Sequence, residues 1–427
     1  MTWVPICSNN YLSGFRETEM MRHRTFVPEH GDLVHDLAYD YYGTRLATCS
    51  SDQKIKVWEL TTDGPGGGET WTLSDQWKAH DYSIVGVSFG GGGGTGLRLL
   101  ASASLDRSVK VWEEQDHETA GRRWKLRATL ATASGVLGVS FAPAPASASA
   151  SASVAAQSPG LRLAAAAQDG VVRVFECPDP AAPSVWVLQQ ELPPLVPPKQ
   201  PHALALALPF AWCPNPRAPS STLLVAASHY SPSALPLNNN NNNNNFAAVV
   251  RIYSLNQVSN QWLPVEYLPD TDPDLDSSSN NNSKSNKNNF NTAHNDAILD
   301  VAWAPNMGRS YELVATASRD GNVRIWKLTW SSPSATKVSS ATPSPHNDRP
   351  SLTVAAPSAP AIAITTTGKW LVQLVACFAD HGGPVARVEW NLIGTVLASC
   401  GAQDGKVRLW KYSYADSWTS AGILNPE

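Results

Sequence analysis

The sequence predicts an all-β fold, a six-bladed β-propeller that is open between its first and last blades. Two spacings recur in step along the 427 residues: Trp303 follows His294 by nine positions, and Trp326 follows Asp320 by six. Repeats of this length, built from short alternating strands and turn residues, are typical of propellers. Sixteen tryptophans against four methionines also favour one large β architecture over several ordinary domains.

Composition and charge exclude several classes of function. The net charge of -4 comes without any basic block, which argues against direct nucleic-acid binding, since that relies on clustered Lys and Arg. The six cysteines lie far apart and form no CxxC pair, so we expect neither a disulfide framework nor a zinc site, and no cofactor. No run approaches the 18 apolar residues of a membrane span, so no transmembrane segment is expected.

The spacings divide the chain into an N-terminal extension, 1–24, and one propeller domain, 25–427. The predicted blades are 25–76, 77–131, 132–193, 194–269, 293–379 and 380–424. Low-complexity inserts are expected at 90–96, 142–160, 236–246, 270–292 and 331–367. Such compositions bury too little apolar surface to offset chain entropy, so we expect disordered loops. A docking role for one of them is the less favoured alternative.

Each predicted blade is a four-stranded meander. In the fifth copy, AILDVAW is the innermost strand, ELVATAS the second, NVRIW the third and WLVQLVAC the outer strand after a long excursion. Asp-Gly pairs at 169/170, 320/321 and 404/405 suit a tight turn between the second and third strands, because glycine accepts a positive φ without penalty.

Three copies carry a His, a hydroxyl residue, an Asp and a Trp at matching positions, and the sixth copy carries the His, the Asp and the Trp; we call each such set a tetrad. The predicted members are His30, Thr48, Asp52 and Trp58; His80, Ser102, Asp106 and Trp112; His294, Thr316, Asp320 and Trp326; and His381, Asp404 and Trp410. In the sixth copy Cys400 stands at the hydroxyl position, although an extra residue in CGAQDG can shift Ser399 into that role through a bulge.

The tetrads admit a catalytic and a structural interpretation. Ser, His and Asp together can make a nucleophile, but an active site is ordinarily assembled once, whereas this set recurs around the predicted ring. Within each blade, a hydroxyl can link an indole N–H to a His, and the His can bind an Asp through its other ring nitrogen. These bonds satisfy the buried polar groups. We therefore predict internal bracing and no enzyme activity.

Two copies have lost their tetrads. The third keeps Asp169 but has Thr132 for His, Ala165 for the hydroxyl and Phe175 for Trp. When the indole donor is absent, the acceptors are no longer needed, because unpaired buried polar groups are costly.

The fourth copy is the most altered. Trp212 and Tyr253 keep the aromatic positions, His202 stands one place out of register, and Ala247 replaces the Asp.

The ends of the chain predict a gap in the ring. Trp418–Leu424 provides the sixth blade with its own fourth strand, and Thr25–Val27 offers at most one strand ahead of the first blade. Strand exchange between the termini is therefore not expected, and two strand edges should be exposed. We predict that a partner fills the gap with its own strands, a form of β-augmentation.

Several stretches resemble a known family. DYYGTRLATCSSD from Asp40, ASASLDRSVKVWEE from Ala101, VAWAPNMGRS from Val301 and WNLIGTVLASCGAQDGKVRLWK from Trp390 are similar to WD-repeat proteins. They most resemble the Sec-thirteen-homologue nucleoporins of the Seh-one type. The first stretch also fits Sec-thirteen itself, the sister coat protein, while the fifth and sixth copies favour the nucleoporin.

The resemblance implies a scaffold role. It implies an open six-bladed propeller whose seventh blade is inserted in trans by an α-solenoid nucleoporin of the Y-shaped outer-ring coat. Other Y-complex nucleoporins would be further partners, at the nuclear pore in the nuclear envelope, in support of mRNA and protein transport. It also implies a second assembly at the vacuolar membrane, a coat-like complex that regulates TOR signalling.

Three other functions remain open from the sequence. The first is a vesicle-coat scaffold of the Sec-thirteen type. The second is a propeller enzyme, which would need one polar cluster unlike the others. The third is a propeller that binds peptides for a ubiquitin ligase, which would need a basic or aromatic patch on one face.

Overall fold

A computed structural model of the chain describes residues 26–62, 69–91, 98–115, 117–143, 160–194, 207–214, 222–229, 247–256, 259–268, 294, 296–331, 369–413 and 417–425. Within these ranges the regular structure is all β, organised as six four-stranded antiparallel sheets. Each sheet consists of four strands consecutive in the chain. The prediction of an all-β propeller is confirmed. In the part of the chain described here, no helix is long and apolar enough to cross a membrane.

The strands are numbered in chain order and the sheets 1 to 6. Sheet 1 contains β1 Val34–Tyr39, β2 Arg45–Ser50, β3 Lys54–Thr62 and β4 Glu69–Lys78. Sheet 2 contains β5 Ile84–Gly90, β6 Leu99–Ser104, β7 Ser108–Glu114 and β8 Trp124–Ala131. Sheet 3 contains β9 Val136–Phe141, β10 Leu161–Ala167, β11 Val172–Cys177 and β12 Val187–Leu192.

The second half follows the same order. Sheet 4 contains β13 Phe210–Trp212, β14 Thr222–His229, β15 Ala247–Asn256 and β16 Gln261–Tyr267. Sheet 5 contains β17 Ile298–Trp303, β18 Glu312–Ser318, β19 Val323–Ser331 and β20 Lys369–Phe378. Sheet 6 contains β21 Val385–Trp390, β22 Val396–Gly401, β23 Val407–Tyr412 and β24 Trp418–Leu424.

Successive sheets are joined by apolar clusters between their faces. Five clusters link sheet 1 to 2, 2 to 3, 3 to 4, 4 to 5 and 5 to 6. In each, the aromatic residue of a third strand packs on small or branched residues of the preceding sheet: Trp112, for example, packs with Ala47 and Val57. Among the described residues, no such cluster contains both sheet 6 and sheet 1 residues.

This packing changes one sequence-based prediction. Neighbouring sheets meet through side chains on their faces, so a gap in the ring presents two sheet faces to a partner and not the two strand edges we expected. The reason is geometric, because in a propeller each sheet's edge strands lie at the centre and at the rim.

Some predicted boundaries also differ. Phe26 and Val27 are not in a strand, and β4 continues to Lys78, past the predicted blade boundary at 76. Gly90 and Ser331 belong to β5 and β19, because ladder pairing continues into the first residue of each insert. The N-terminal extension 1–24 and the inserts at 92–96, 144–159, 236–246, 270–292 and 332–367 lie outside the described residues.

Candidate functional site

The tetrad of sheet 1 is a continuous chain of hydrogen bonds. Thr48 lies on β2 and Trp58 on β3, and the Trp58 indole N–H donates to Thr48 Oγ1 at 3.1 Å. His30 Nε2 lies 2.9 Å from Thr48 Oγ1, and His30 Nδ1 lies 2.9 Å from Asp52 Oδ2. Because the threonine oxygen accepts from the indole, its own O–H can donate to Nε2, which leaves the Nδ1–H to donate to the carboxylate.

Sheets 2 and 5 repeat this arrangement. In sheet 2, Ser102 Oγ lies 3.0 Å from Trp112 Nε1 and 2.8 Å from His80 Nε2, and His80 Nδ1 lies 2.7 Å from Asp106. In sheet 5, Thr316 Oγ1 lies 3.1 Å from Trp326 Nε1 and 2.7 Å from His294 Nε2. His294 Nδ1 lies 3.1 Å from Asp320. The structure therefore brings together every predicted member of these two tetrads.

In sheet 6 the hydroxyl comes from Ser399, one residue before Cys400. Ser399 Oγ lies 2.8 Å from both Trp410 Nε1 and His381 Nε2, and His381 Nδ1 lies 3.1 Å from Asp404 Oδ2. The turn between β22 and β23 has one extra residue, so the serine stands five positions before Asp404. A Cβ on Gly401 would overlap the Asp404 carboxylate and the His381 ring, so glycine is required at this close approach.

Burial favours the neutral form of three tetrad histidines. It lowers the pKa of His30, His80 and His381, and this effect outweighs the hydrogen bond to the aspartate that raises it. For Asp52 burial raises the pKa, but the hydrogen bonds from His30 and from two backbone N–H groups produce a net lowering. The His30–Asp52 and His80–Asp106 pairs thus favour a carboxylate bound by a neutral imidazole.

The tetrad hydroxyls are placed for bracing and poorly placed for catalysis. Thr48, Ser102, Thr316 and Ser399 are at most 1% exposed, and each is already bonded to an indole and an imidazole. A nucleophile needs access to its substrate, which this burial denies. Within the described residues, no group of three or more His, Cys, Asp or Glu side chains is placed to hold a metal ion.

Sheet 3 replaces the lost tetrad with an ion pair that the sequence analysis missed. Arg173 is buried, and its Nη2 lies 2.8 Å from Asp169 Oδ2 while its Nε donates to Glu191 at 2.8 Å. The available signal was a basic residue four positions after each turn aspartate, as with Lys56 after Asp52.

Sheet 4 is held to sheet 3 by side-chain amides. The Gln190 amide donates to Trp262 O at 3.1 Å and accepts from Trp262 N at 2.7 Å, so it pairs with that backbone as a strand would. Gln189 accepts the Trp262 indole N–H at 3.1 Å. Trp212 donates to Ser140 O at 3.1 Å. The predicted but displaced His202 lies outside the described residues.

The face of sheet 6 that should meet a following sheet is incompletely covered. Its positions are Ala398 and Cys400 on β22 and Val407 and Leu409 on β23, which we call the sheet 6 face. The equivalent residues of sheet 5, namely Ala315, Ala317, Val323 and Ile325, are all 0% exposed under the next sheet. Ala398 and Cys400 are instead half-buried, while Val407, 6% exposed, and Leu409, 8% exposed, remain buried. Among the described residues, none of the four joins an apolar cluster with sheet 1.

The opposing face of sheet 1 is covered by its own chain. Trp58 occupies the third-strand aromatic position, which elsewhere packs on the preceding sheet. Here the Phe26 ring meets it edge-on, with centroids 4.8 Å apart and an interplanar angle of 89°. Trp58 is only 5% exposed as a result. The sequence placed Phe26 only in a short strand at Thr25–Val27 and did not predict its contact with Trp58, because nothing in its spacing marks it.

Polar contacts between neighbouring first strands also differ at this junction. Asp36 accepts a hydrogen bond from Val87 N at 3.1 Å, and Asp300 accepts one from Val388 N at 3.0 Å. Sheet 6 has Arg387 at the same repeat position, and its Nη2 reaches His35 O at 3.3 Å and Asp36 Oδ1 at 3.6 Å. In the described part of the chain, sheets 6 and 1 thus meet through a long, solvent-accessible contact of Arg387, and no apolar cluster joins them.

Known proteins match the chain over most of its length. A model described as WD domain, G-beta repeat matches residues 22–59, 71–113, 286–327 and 362–411, which contain the four tetrads. Nucleoporin SEH1 of Saccharomyces cerevisiae is 32% identical over 410 residues, covering 94% of this chain and 99% of that protein. The chain belongs to the SEH1 nucleoporin family. Nucleoporin SEH1 of Homo sapiens is 32% identical and Nucleoporin SEH1-A of Xenopus laevis is 31% identical, each covering 94% of this chain and 88% of the relative.

This SEH1-family chain also presents apolar residues on two turns that are held by side-chain hydrogen bonds, one in sheet 1 and one in sheet 6. They are Tyr41 and Tyr42 between β1 and β2, and Leu392 and Ile393 between β21 and β22. Asp40 Oδ1 accepts from the backbone N–H groups of residues 44 and 45, and Asn391 Oδ1 accepts from those of residues 395 and 396. Tyr41 and Tyr42 are each 73% exposed and Leu392 is 75% exposed. We call these the β1–β2 and β21–β22 turns.

Proposed function

We propose that this chain is a non-catalytic scaffold subunit of the outer-ring, Y-shaped coat of the nuclear pore complex. Membership of the SEH1 nucleoporin family over 94% of the chain is the observation that carries this proposal. Through that coat the chain would serve transport of mRNA and protein across the nuclear envelope. Its contribution is a binding surface, because the tetrads are internal to the sheets.

The proposed form is a ring of six blades, one per sheet, open between sheets 6 and 1. Support comes from the half-buried Ala398 and Cys400 on the sheet 6 face and from the apolar clusters, which among the described residues join sheets 1 to 6 in succession and omit the sixth-to-first junction. Each terminal sheet is also completed by its own four strands, so neither needs a strand from the other end of the chain.

A partner would supply the seventh blade. We propose an α-solenoid nucleoporin as the donor, whose inserted blade packs one face on sheet 6 and the other on sheet 1. Burying apolar faces contributes roughly 25 cal/mol for each Å² removed from water, and this burial would favour such an insertion. The β1–β2 and β21–β22 turns on either side of the proposed gap would contact the same partner or other Y-complex nucleoporins.

A second site of action is the coat-like complex at the periphery of the vacuolar membrane that regulates TOR signalling. It would use the same gap, since one ring has one such opening. The two assemblies would then be mutually exclusive for a given copy of the chain.

Affinity purification of the tagged chain with mass spectrometry tests the proposal. Pore-coat components should co-purify, and co-expression of the best partner's N-terminal segment should raise the yield and melting temperature of this chain. Recovery of vesicle-cage subunits without pore components would contradict it and favour the Sec-thirteen type of vesicle coat.

A further inference from the structure

The first strand of each sheet carries an aromatic residue near its end, and in sheets 1 to 5 the residue just before that aromatic is small. These small residues are Ala38, Ser88, Ser140, Ala211 and Ala302. The three alanines pack in the apolar clusters shared with the next sheet. Ser88 Oγ accepts a hydrogen bond from Phe141 N of the next first strand at 3.1 Å. A small side chain at this position therefore leaves room for the aromatic residue of the sheet that follows.

Sheet 6 departs from this pattern on the side where a following blade would pack. Glu389 stands at the position of the small residues, directly before Trp390. Two residues earlier, Arg387 replaces the aspartate that sheets 1 and 5 carry there. Glu389 is exposed, and the side chain of Arg387 is 59% exposed. A following blade built like this chain's own sheets would place an aromatic ring on the Glu389 carboxylate, which is costly because it buries an unpaired charge.

The charges around Glu389 leave it in need of a cation. Arg387 contacts Asp36 at 3.6 Å, and in the described part of the chain no cation lies within ion-pairing distance of Glu389. Asp300 accepts a hydrogen bond from Val388 N at 3.0 Å, so its carboxylate already has a partner. Desolvation and the Asp300 charge raise the pKa of Glu389 to about 7, and Arg387 offsets them only in part. One further positive charge at this position would therefore be attracted.

We propose that the innermost strand of the partner's blade places a lysine or arginine side chain against Glu389, at the position where this chain's own sheets carry an aromatic residue. Such a side chain offsets the local negative charge and donates a charge-assisted hydrogen bond. Glu389 thereby selects its partner, because a blade with an apolar residue at that position would leave the carboxylate buried and unpaired. This inference rests on the open ring of the proposed function and adds the chemistry of the inserted strand.

Affinity for the full-length partner recovered by affinity purification tests the proposal. The partner is titrated into the natural chain and into Glu389→Gln and Glu389→Ser. Both changes should raise Kd by about 30-fold, as truncation of one member of a buried charge pair does. Glu389→Ser restores the small residue found in sheets 2 and 3, so an equal loss in both variants would assign the effect to charge and not to size. Glu118→Gln, at an exposed position between β7 and β8, is the control and should bind as the natural chain does.

Two further measurements separate partner recognition from a structural role. The free Glu389→Gln chain should have a free energy of unfolding at pH 8 no lower than that of the natural chain, so its weaker binding would not come from a damaged fold. Glu389→Lys should bind the natural partner more weakly still, because it brings two positive charges together. Replacing the partner's basic residues with glutamate one at a time should identify one change that restores binding to Glu389→Lys.

The remaining outcomes overturn the proposal in distinguishable ways. Equal Kd values for the natural chain and Glu389→Gln would show that the partner does not use this carboxylate, and the proposed function would be unaffected. Tighter binding by Glu389→Ser would show that the partner places an apolar residue there. Weaker binding by Glu389→Gln without any restoring change in the partner would assign the contact to a neutral donor. Failure of the natural chain to bind any pore-coat component would contradict the proposed function and this inference with it.

Discussion

Trp410 donates its indole N–H to Ser399 Oγ at 2.8 Å, and Cys400, the residue at the expected spacing, projects to the opposite face of sheet 6. One extra residue in the turn before Val407 lets the chain keep the tetrad while shifting its hydroxyl by one place. The sheet 6 face consequently carries a thiol where the sequence repeat suggested an internal acceptor.

Ser399→Ala should destabilise the fold by about 1–3 kcal/mol, because it leaves the indole of Trp410 and the ring of His381 without their shared partner. Cys400→Ser should change stability by less than about 0.5 kcal/mol, since a half-buried position tolerates the hydroxyl. Urea unfolding of the two variants provides the comparison. Equal losses would contradict the assignment of Ser399.

The sheet 5 tetrad should behave as a coupled unit. In a double-mutant cycle of His294→Ala and Trp326→Phe, we expect a coupling energy of about 0.5–3 kcal/mol, because each change removes a neighbour of Thr316. The matched control pairs His294→Ala with Trp303→Phe. Trp303 donates instead to Glu312, at 3.3 Å, so those losses should add. Additive losses in the tetrad cycle as well would refute the bracing role.

Arg173 should be the stabilising residue that sheet 3 uses in place of a tetrad. Arg173→Met leaves Asp169 and Glu191 without their cation, and the expected loss is about 1–3 kcal/mol because the arginine is buried while both carboxylates keep contact with water. Adding Asp169→Asn should recover part of that loss. Chemical denaturation of the two variants measures both effects, and no recovery in the double variant would argue against the ion pair.

Glu389 on β21 should give the fold a pH dependence of definite sign. The Glu389 side chain is exposed on β21, but the surrounding protein partly desolvates its carboxyl, and this together with the nearby Asp300 charge raises its pKa to about 7. The folded state then binds more protons than the unfolded state, so the stability this group contributes is complete below pH 4.5 and is lost as the pH rises through 7. Glu389→Gln should therefore have a higher free energy of unfolding than the natural chain at pH 8, and this difference should be smaller at pH 5.

Unfolding in urea at the two pH values measures that difference. Glu29→Gln, at an exposed position, is the control and should show no comparable change. A larger gain for Glu389→Gln at pH 5 than at pH 8 would reverse the predicted sign.

The β1–β2 and β21–β22 turns should contribute to partner binding and should contribute little to the stability of the fold. Replacing Tyr41, Tyr42, Leu392 and Ile393 with Ser should leave the melting temperature nearly unchanged and reduce partner recovery severalfold, since the held turn geometry lowers the entropy cost of binding. Val187→Ser on the rim of sheet 3, where valine is also exposed, is the control and should retain full recovery. Undiminished recovery from the turn variant would assign partner binding elsewhere.

Sequence spacing predicted the tetrads well because each depends on residues at fixed positions in one meander. Thr48 and Trp58 are ten positions apart on adjacent strands, so their contact follows from strand pairing alone. The same local logic placed β22, β23 and β24 in one sheet. For the hydroxyl position of sheet 6 it left two candidates, Ser399 and Cys400, because spacing cannot locate an extra turn residue.

Contacts between sheets were less accessible from the sequence. The amide of Gln190 meets Trp262 across 72 positions, and Arg387 reaches Asp36 from the far end of the chain. No repeat period connects such residues, since their contact depends on how sheets are arranged around the ring. The predicted gap was described as two strand edges for the same reason, whereas the surfaces that would border the proposed gap are the sheet faces around Cys400 and Trp58.

Amide hydrogen exchange tests the open, partner-filled ring most directly. Exchange is compared between the free chain and its purified complex with the recovered partner, peptide by peptide. The account predicts slower exchange in β22 and β23 of sheet 6 and in β2 and β3 of sheet 1 on complex formation, with sheets 3 and 4 unchanged. Unchanged exchange in sheets 6 and 1, with protection appearing on sheets 3 and 4, would contradict it.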